Sequence, residues 1–173
     1  IYKFKFIYYF NQPIDLPIGL THLIFDVEFD MEFNKSNVAL PESLTHLTLG
    51  HIFNQLIDLP KSLTHLKFGW CFDKPIDLPE GLIHLTFGNH FNQPNVALPK
   101  GLTYLKLGWY FNKPIDLPTT LTHLTFSYHF NQQIDLPEGL INLYFYKHQK
   151  DLKVKYKDKI IKVKDLPINI ICK

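Results

Sequence analysis

Five histidines recur at one position of a repeated sequence, and imidazole is the side chain best suited to zinc coordination or proton transfer near neutral pH. They are His22, His46, His65, His84 and His123. On neighbouring strands about 4.8 Å apart, two such rings could share one zinc ion. No carboxylate or thiol stands at the same level of the repeat. We therefore interpret these histidines as structural or surface residues and expect neither a metal nor a cofactor.

Nucleophilic catalysis is a weaker interpretation of the same residues. Serine, histidine and aspartate all occur, but each candidate histidine is one of several equivalent copies, and an enzyme seldom multiplies its active site in this way. We expect no enzymatic activity and no catalytic residues.

The histidines are positioned by a repeat of 19 to 20 residues, which is marked by a phenylalanine followed by asparagine or aspartate. These phenylalanines are Phe33, Phe53, Phe72, Phe91, Phe111 and Phe130. Each copy reads L-x-x-L-x-[FL]-x-x-x-F-[ND] and ends in Leu-Pro. Alternating apolar residues predict a short strand, and one copy buries too little apolar surface to fold alone. Stacked copies therefore predict a β-rich solenoid with one parallel sheet and a continuous core.

Two parts of the chain differ in composition. Residues 1–146 hold about seven complete repeats and a partial first one, Ile1-Phe4-Phe6. Residues 147–173 carry half of the 18 basic residues and alternate apolar residues with lysine on both sides of Lys157-Asp158. This pattern predicts a β-hairpin that caps the last strand, because lysine-rich strands block an open sheet edge. The alternative for this tail is a patch that binds nucleic acid or an acidic membrane.

Asparagines follow the phenylalanines, and we expect their buried side chains to form a ladder that satisfies backbone groups of the turns. They are Asn54, Asn92, Asn112 and Asn131.

The segment LPKSLTHLKFGWCFDKP, residues 59–75, and its sibling copies closely resemble the FNIP repeat, which is similar to leucine-rich repeats. The resemblance covers about residues 1–146, with Asp73 replacing the usual asparagine. It implies a right-handed leucine-rich-repeat-like stack without catalytic residues. In slime moulds and giant viruses such arrays often follow an N-terminal F-box. This chain would then resemble the substrate-recognition part of a ubiquitin ligase, although no F-box is visible in it.

Three columns of residues should point outward from the sheet between the inward leucines. The histidine column is Lys3, His22, His46, His65, His84, Tyr104, His123 and Asn142; the lysine column is Lys5, Ile24, Thr48, Lys67, Thr86, Lys106, Thr125 and Tyr144. The tryptophan column is Tyr8, Val27, His51, Trp70, Asn89, Trp109, Tyr128 and Lys147. We predict a protein-binding surface formed by His65, Lys67, Trp70, His84, Asn89, Tyr104, Lys106, Trp109, His123 and Tyr128.

The two tryptophans are the predicted anchors of this surface. Trp70 and Trp109 should lie about 10 Å apart with Asn89 between them, as a platform for a partner. The alternative is that each indole folds back over the Phe-Asn turn and shields the core.

Charge and cysteine usage bound the cellular context. The formal net charge is +2, and no apolar run is long enough to span a membrane. Two cysteines are too few for a secreted protein stabilised by disulfides, so we expect a cytoplasmic protein, in the host cytoplasm if it is viral. A chain that lacks an initiator Met and begins within a repeat indicates a fragment.

The expected partner is another protein on the outward face, with a ligase adaptor on an N-terminal domain outside this sequence. A structural or self-assembling repeat protein is the alternative, and we expect no nucleic acid or membrane partner.

Overall fold

A computed structural model describes residues 2–6, 15–25, 39–146 and 163–166 of the chain. Its strands are β1 (Tyr2–Phe6), β2 (Leu20–Phe25), β3 (His46–Thr48), β4 (His65–Lys67), β5 (His84–Thr86), β6 (Tyr104–Lys106), β7 (His123–Thr125), β8 (Asn142–Tyr146) and β9 (Val163–Leu166). They form one parallel sheet in chain order. No helix occurs in the described ranges. The predicted single-sheet solenoid is confirmed.

The core is built from the apolar columns that the repeat places on the inward side. Leu66 pairs in register with Leu47 on one side and Leu85 on the other, and all three are buried. Behind the sheet, the phenylalanine rings stack from repeat to repeat, with centroids 6.1 Å apart for Phe53 and Phe72. Each copy thus covers the apolar surface of the next, which is why a short strand suffices.

Two tight turns set the ends of each short strand. Before β4, the Leu63 amide donates to the Pro60 carbonyl at 3.1 Å, and after β3 the Phe53 amide donates to the Gly50 carbonyl at 3.3 Å. The proline without an amide proton thus serves as the acceptor that opens the turn. The Ile-Asp-Leu-Pro return legs have no regular secondary structure.

The predicted asparagine ladder is present along the turns. Asn54 Oδ1 accepts from the Asp73 amide at 2.9 Å, and Asp73 Oδ1 accepts from the Asn92 amide at 3.0 Å. Asn92 and Asn112 continue the ladder in the same way. The expectation of full burial was wrong, because these side chains are half-buried and Asn131 is exposed. Asp73 fits since a carboxylate oxygen accepts as well as an amide oxygen.

The two ends of the sheet extend the repeat pattern. Phe4 pairs with Leu23, as the alignment of the partial first repeat predicts. The hairpin predicted around Lys157-Asp158 lies outside the described residues. Val163 pairs with Leu143, so β9 adds a parallel strand beyond residue 146. Within the described part of the chain, no helix is long and apolar enough to cross a membrane.

Candidate binding surface on the outward face of the sheet

The histidine column forms a continuous stack of rings along the outward face. Centroids lie 4.0 Å apart for His22 and His46, 4.1 Å for His46 and His65, and 4.9 Å for His65 and His84, and each pair lies within 12° of parallel. Tyr104 continues the stack at 4.5 Å from His84. The strand register places these rings side by side, so the stack follows directly from the repeat.

The preceding threonine fixes the proton position on most of these rings. Thr64 Oγ1 donates to the Thr45 carbonyl at 3.0 Å and lies 2.9 Å from Nδ1 of His65. A hydroxyl has a single proton, so Nδ1 carries a proton and donates it to Oγ1. The neutral ring therefore presents an unprotonated Nε2. The same pair of contacts occurs at His46 and His123.

This geometry argues against one zinc ion shared by neighbouring rings. Zinc sits about 2.0–2.1 Å from an imidazole nitrogen, along the lone pair in the ring plane. Parallel stacked rings direct their Nε2 lone pairs side by side rather than towards one point, and Nδ1 is occupied by threonine at His46 and His65. Among the described residues, no group of three or more His, Cys, Asp or Glu side chains is arranged to hold a metal.

Four of the stacked imidazoles are weaker bases than an ordinary histidine side chain. Partial burial lowers the pKa of His22, His46, His65 and His84 from the ordinary 6.5. Repulsion from neighbouring histidines lowers the pKa of His46 and His84 further. At neutral pH these four rings are therefore uncharged hydrogen-bond acceptors.

A shallow groove lies between the lysine column and the tryptophan column and has a volume of about 410 Å³. Its lining includes the polar residues Lys5, Thr48, His51, Lys67, Thr86, Asn89 and Lys106, together with Trp70. Because these residues come from β1, β3, β4, β5 and β6 and the turns that follow, the groove runs across the strands. Partial burial, with a smaller contribution from Lys67, lowers the pKa of Lys106, whose side chain still reaches solvent at the edge of the groove.

The two tryptophans belong to separate aromatic clusters. Trp70 stacks on His51 at 5.4 Å and donates from Nε1 to Nε2 of His90 at 3.2 Å. Trp109 stacks on Tyr128 at 4.1 Å and meets Tyr146 edge-on at 5.1 Å. Asn89 lies between them in the column, but only Trp70 and Asn89 line the groove. The two indoles thus stack on neighbours in opposite directions along the solenoid, Trp70 on the preceding repeat and Trp109 on the following one.

The predicted surface residues therefore fall into three neighbouring groups. Lys67, Trp70, Asn89 and Lys106 line the groove; His65, His84, Tyr104 and His123 belong to the ring stack; Trp109 and Tyr128 belong to the second aromatic cluster. Their role in binding stays a prediction.

Sequence reasoning missed a fourth exposed column, His90, Tyr110 and His129, each directly before a buried phenylalanine. Tyr110 stacks on His129 at 5.2 Å and lies 5.5 Å from His90. The available signal was an aromatic or histidine residue at one fixed place in three consecutive repeats.

Comparison with known families agrees with this geometry. The FNIP Repeat family model matches residues 10–51, 33–71, 53–90 and 91–129, which together exceed half of the chain. No match is found among curated proteins. The matched segments follow the stacked units described above, and the chain belongs to the FNIP repeat family.

Proposed function

We propose that this chain is a non-enzymatic protein-binding module whose partner lies on the outward face of the sheet. The observation that carries the proposal is the groove beside Trp70, where a half-buried indole shares the lining with the exposed amines of Lys67 and Lys106 and the half-buried amide of Asn89. Aromatic anchors with polar surroundings are typical of the centre of a protein interface. The solenoid supplies a regular row of such positions, because the outward residues of its described repeats lie on strands or on the turns that follow them.

The arrangement of the possible bases supports a role without catalysis. The threonine contact at His65 leaves only Nε2 to act, and the ring is packed against His46 and His84. No serine or cysteine hydrogen-bonds a stacked histidine in the described part of the chain. A general base would need such a nucleophile or a substrate proton within hydrogen-bond reach.

The finer proposal is that the array is the substrate-recognition region of an F-box-type ubiquitin-ligase receptor in the cytoplasm. It rests on membership of the FNIP repeat family and on the position such arrays often have behind an F-box. An adaptor of the ligase would then bind elsewhere in the complete protein, and the sheet face would bind the substrate.

Affinity capture with the intact protein tests both the protein-binding role and the ligase role. The bait should retain a partner that is lost from a Trp70→Ala variant and kept by an Asp116→Asn variant, which changes an exposed residue of a return leg. Blotting the same eluate for the ligase adaptor tests the finer proposal. Capture that depends on Asp116 but not on Trp70 would place the partner on the return legs rather than on the sheet face. A partner captured without the adaptor would support the protein-binding module and contradict the ligase role.

A further inference from the structure

The outward face of the sheet and the return legs of the solenoid differ in charge. In the three outward columns, the described residues include Lys3, Lys5, Lys67 and Lys106 but no aspartate or glutamate. The described acids lie elsewhere, with exposed Asp58, Asp77, Asp116 and Asp135 all on the return legs. The outward face is therefore positive although the whole chain carries only +2. Such a field attracts an anionic partner and disfavours a basic one.

Two lysines stand at a defined spacing along the groove. Lys67 pairs with Thr86, and Thr86 pairs with Lys106, so the two lysines are two strands apart, or about 9.6 Å. Both side chains are exposed, and each lines the groove. Their mutual repulsion contributes to the lowered pKa of Lys106. An anion bound between them would relieve that repulsion.

The remaining lining suits an extended backbone. Trp70, held against His51, offers an apolar face, while Asn89, Thr48 and Thr86 carry groups that can donate to peptide carbonyls. A polyproline II chain has three residues per turn and a rise of 3.1 Å, so side chains three positions apart share one face at about 9.3 Å. That repeat matches the separation of Lys67 and Lys106. A β-strand repeats on one face every two residues, at about 6.6 Å, and does not match.

We propose that this groove binds an acidic peptide in the polyproline II conformation, in which carboxylates three residues apart contact Lys67 and Lys106 and an apolar residue packs on Trp70. This inference rests on the proposed function and specifies the chemistry of its partner. Nucleic acid is disfavoured, because the chain contains no arginine and only three lysines, Lys5, Lys67 and Lys106, line the groove.

Fluorescence anisotropy with the full chain and dye-labelled peptides tests the proposal. The probe is a four-fold repeat of Pro-Pro-Asp at low salt. Its controls are the same repeat with asparagine, and a Pro-Asp repeat of equal total charge with acids at every second position. The Pro-Pro-Asp peptide should bind most tightly, and added salt should weaken it. Lys67→Gln and Lys106→Gln should each weaken binding by about threefold, as expected for exposed charge pairs.

Lys61→Gln is the matched control variant, because Lys61 is exposed in the turn before β4 and does not line the groove. It should leave the affinity unchanged. Equal binding of the asparagine peptide, equal binding of the every-second-residue peptide, or no effect of the Lys67 and Lys106 changes would each overturn the proposal. Tighter binding of a single-stranded oligonucleotide or of anionic lipid vesicles would also overturn it.

A second copy of the chain is the remaining competitor, since its return-leg aspartates are exposed. Sedimentation should show that the chain without peptide stays monomeric at low salt; a salt-sensitive oligomer dispersed by Lys67→Gln would assign the groove to self-association. The acidic-peptide proposal can fail without contradicting the proposed function. A partner lost from Trp70→Ala but kept by both lysine variants would retain the binding module and reject the acidic peptide.

Discussion

Gly88 stacks so closely on Gly69 that a Cβ atom built on Gly88 would lie 1.8 Å from the Gly69 carbonyl oxygen. Gly69 has the same relationship to Gly50, at 1.7 Å, and Gly108 to Gly88, at 1.8 Å. None of these glycines has a positive φ, so close backbone approach rather than a left-handed conformation requires them. Because the tryptophan column follows directly, this contact also sets the spacing of the candidate surface.

Replacing Gly88 with alanine should therefore destabilise the fold by about 3 kcal/mol or more, because backbone atoms of the adjacent repeat must move apart. Thermal and denaturant unfolding measure the loss. Gly101→Ala is the matched control, since its added Cβ would meet nothing closer than 4.0 Å, and it should change stability little. Equal stability of the two variants would show that the stack relaxes without cost.

Ser127 shows how the stack accommodates a side chain at this position. Ser127 stands at the position that Gly108 has in the preceding repeat. It is fully buried, and its hydroxyl donates to the Phe111 carbonyl. The neighbouring backbone hydrogen bond, from the His129 amide to the Trp109 carbonyl, is 3.3 Å long. The equivalent bond from the His90 amide to the Trp70 carbonyl is 2.9 Å long. A buried hydroxyl with a partner is tolerated where an unpaired one would be costly.

The fold was predictable because one period fixes both the stack and the register. A 19- to 20-residue repeat with inward leucines leaves only one pairing that keeps Leu47, Leu66 and Leu85 buried together, and the structure has that pairing. The surface columns follow from the same register. The close backbone packing of the glycines was not predicted. The strands end at Thr48, Lys67 and Thr86, before each glycine, so the strand register alone does not fix how closely the glycines approach.

The finer geometry of the surface could not be predicted, because it depends on rotamers and on pairwise contacts rather than on period. Trp70 and Trp109 share a column, yet one pairs with His51 and the other with Tyr128. The threonine contacts depend on side-chain torsions that the repeat leaves open. His84 is the exception that the sequence does show, because Ile83 precedes it and no threonine hydroxyl is there to order its ring.

Phe87 tests the core register. It is 2% exposed, stacks on Phe91 at 4.0 Å and faces Phe68 at 5.9 Å. Phe87→Ala should cost about 3–5 kcal/mol of unfolding free energy, because the cavity opens between two repeats. Tyr110→Ala, at a residue that is 45% exposed, should cost far less in the same denaturant titration. A loss below about 1 kcal/mol for Phe87→Ala would contradict its buried position.

The ladder makes a separate prediction about hydrogen bonding. Asn92→Ala removes the acceptor of the Asn112 amide, which Asn92 Oδ1 holds at 2.9 Å, and should cost about 1 kcal/mol or more. Asp73→Asn is the matched control, because an amide oxygen can still accept from the Asn92 amide. Chemical denaturation of both variants measures the difference. Similar losses in the two proteins would mean that the negative charge of Asp73, rather than its acceptor, matters.

The histidine stack predicts acid sensitivity. Partial burial lowers the pKa of His46 and His65 in the folded state below 6.5, so the unfolded chain binds protons first as the pH falls. Stability is then fully present above about pH 7.5 and declines as the pH falls through about 6.5 towards the lower folded-state pKa. A His46→Tyr, His65→Tyr double variant keeps aromatic rings in the column, as Tyr104 does, and should lose less melting temperature on acidification. Identical pH profiles for the two proteins would contradict this linkage.

The two tryptophans should contribute unequally to partner capture, because only Trp70 lines the groove. Trp70→Ala should weaken capture by about 2 kcal/mol, the level expected of an aromatic anchor, and shift the melting temperature little because the indole is only half-buried. Trp109→Ala should weaken capture less, since its ring packs on Tyr128 and Tyr146 instead. Binding titrations and melting curves on both variants measure the two effects separately. Equal losses of affinity would extend the binding surface across both clusters, and a Trp70→Ala protein that melts early yet binds normally would assign Trp70 to stability alone.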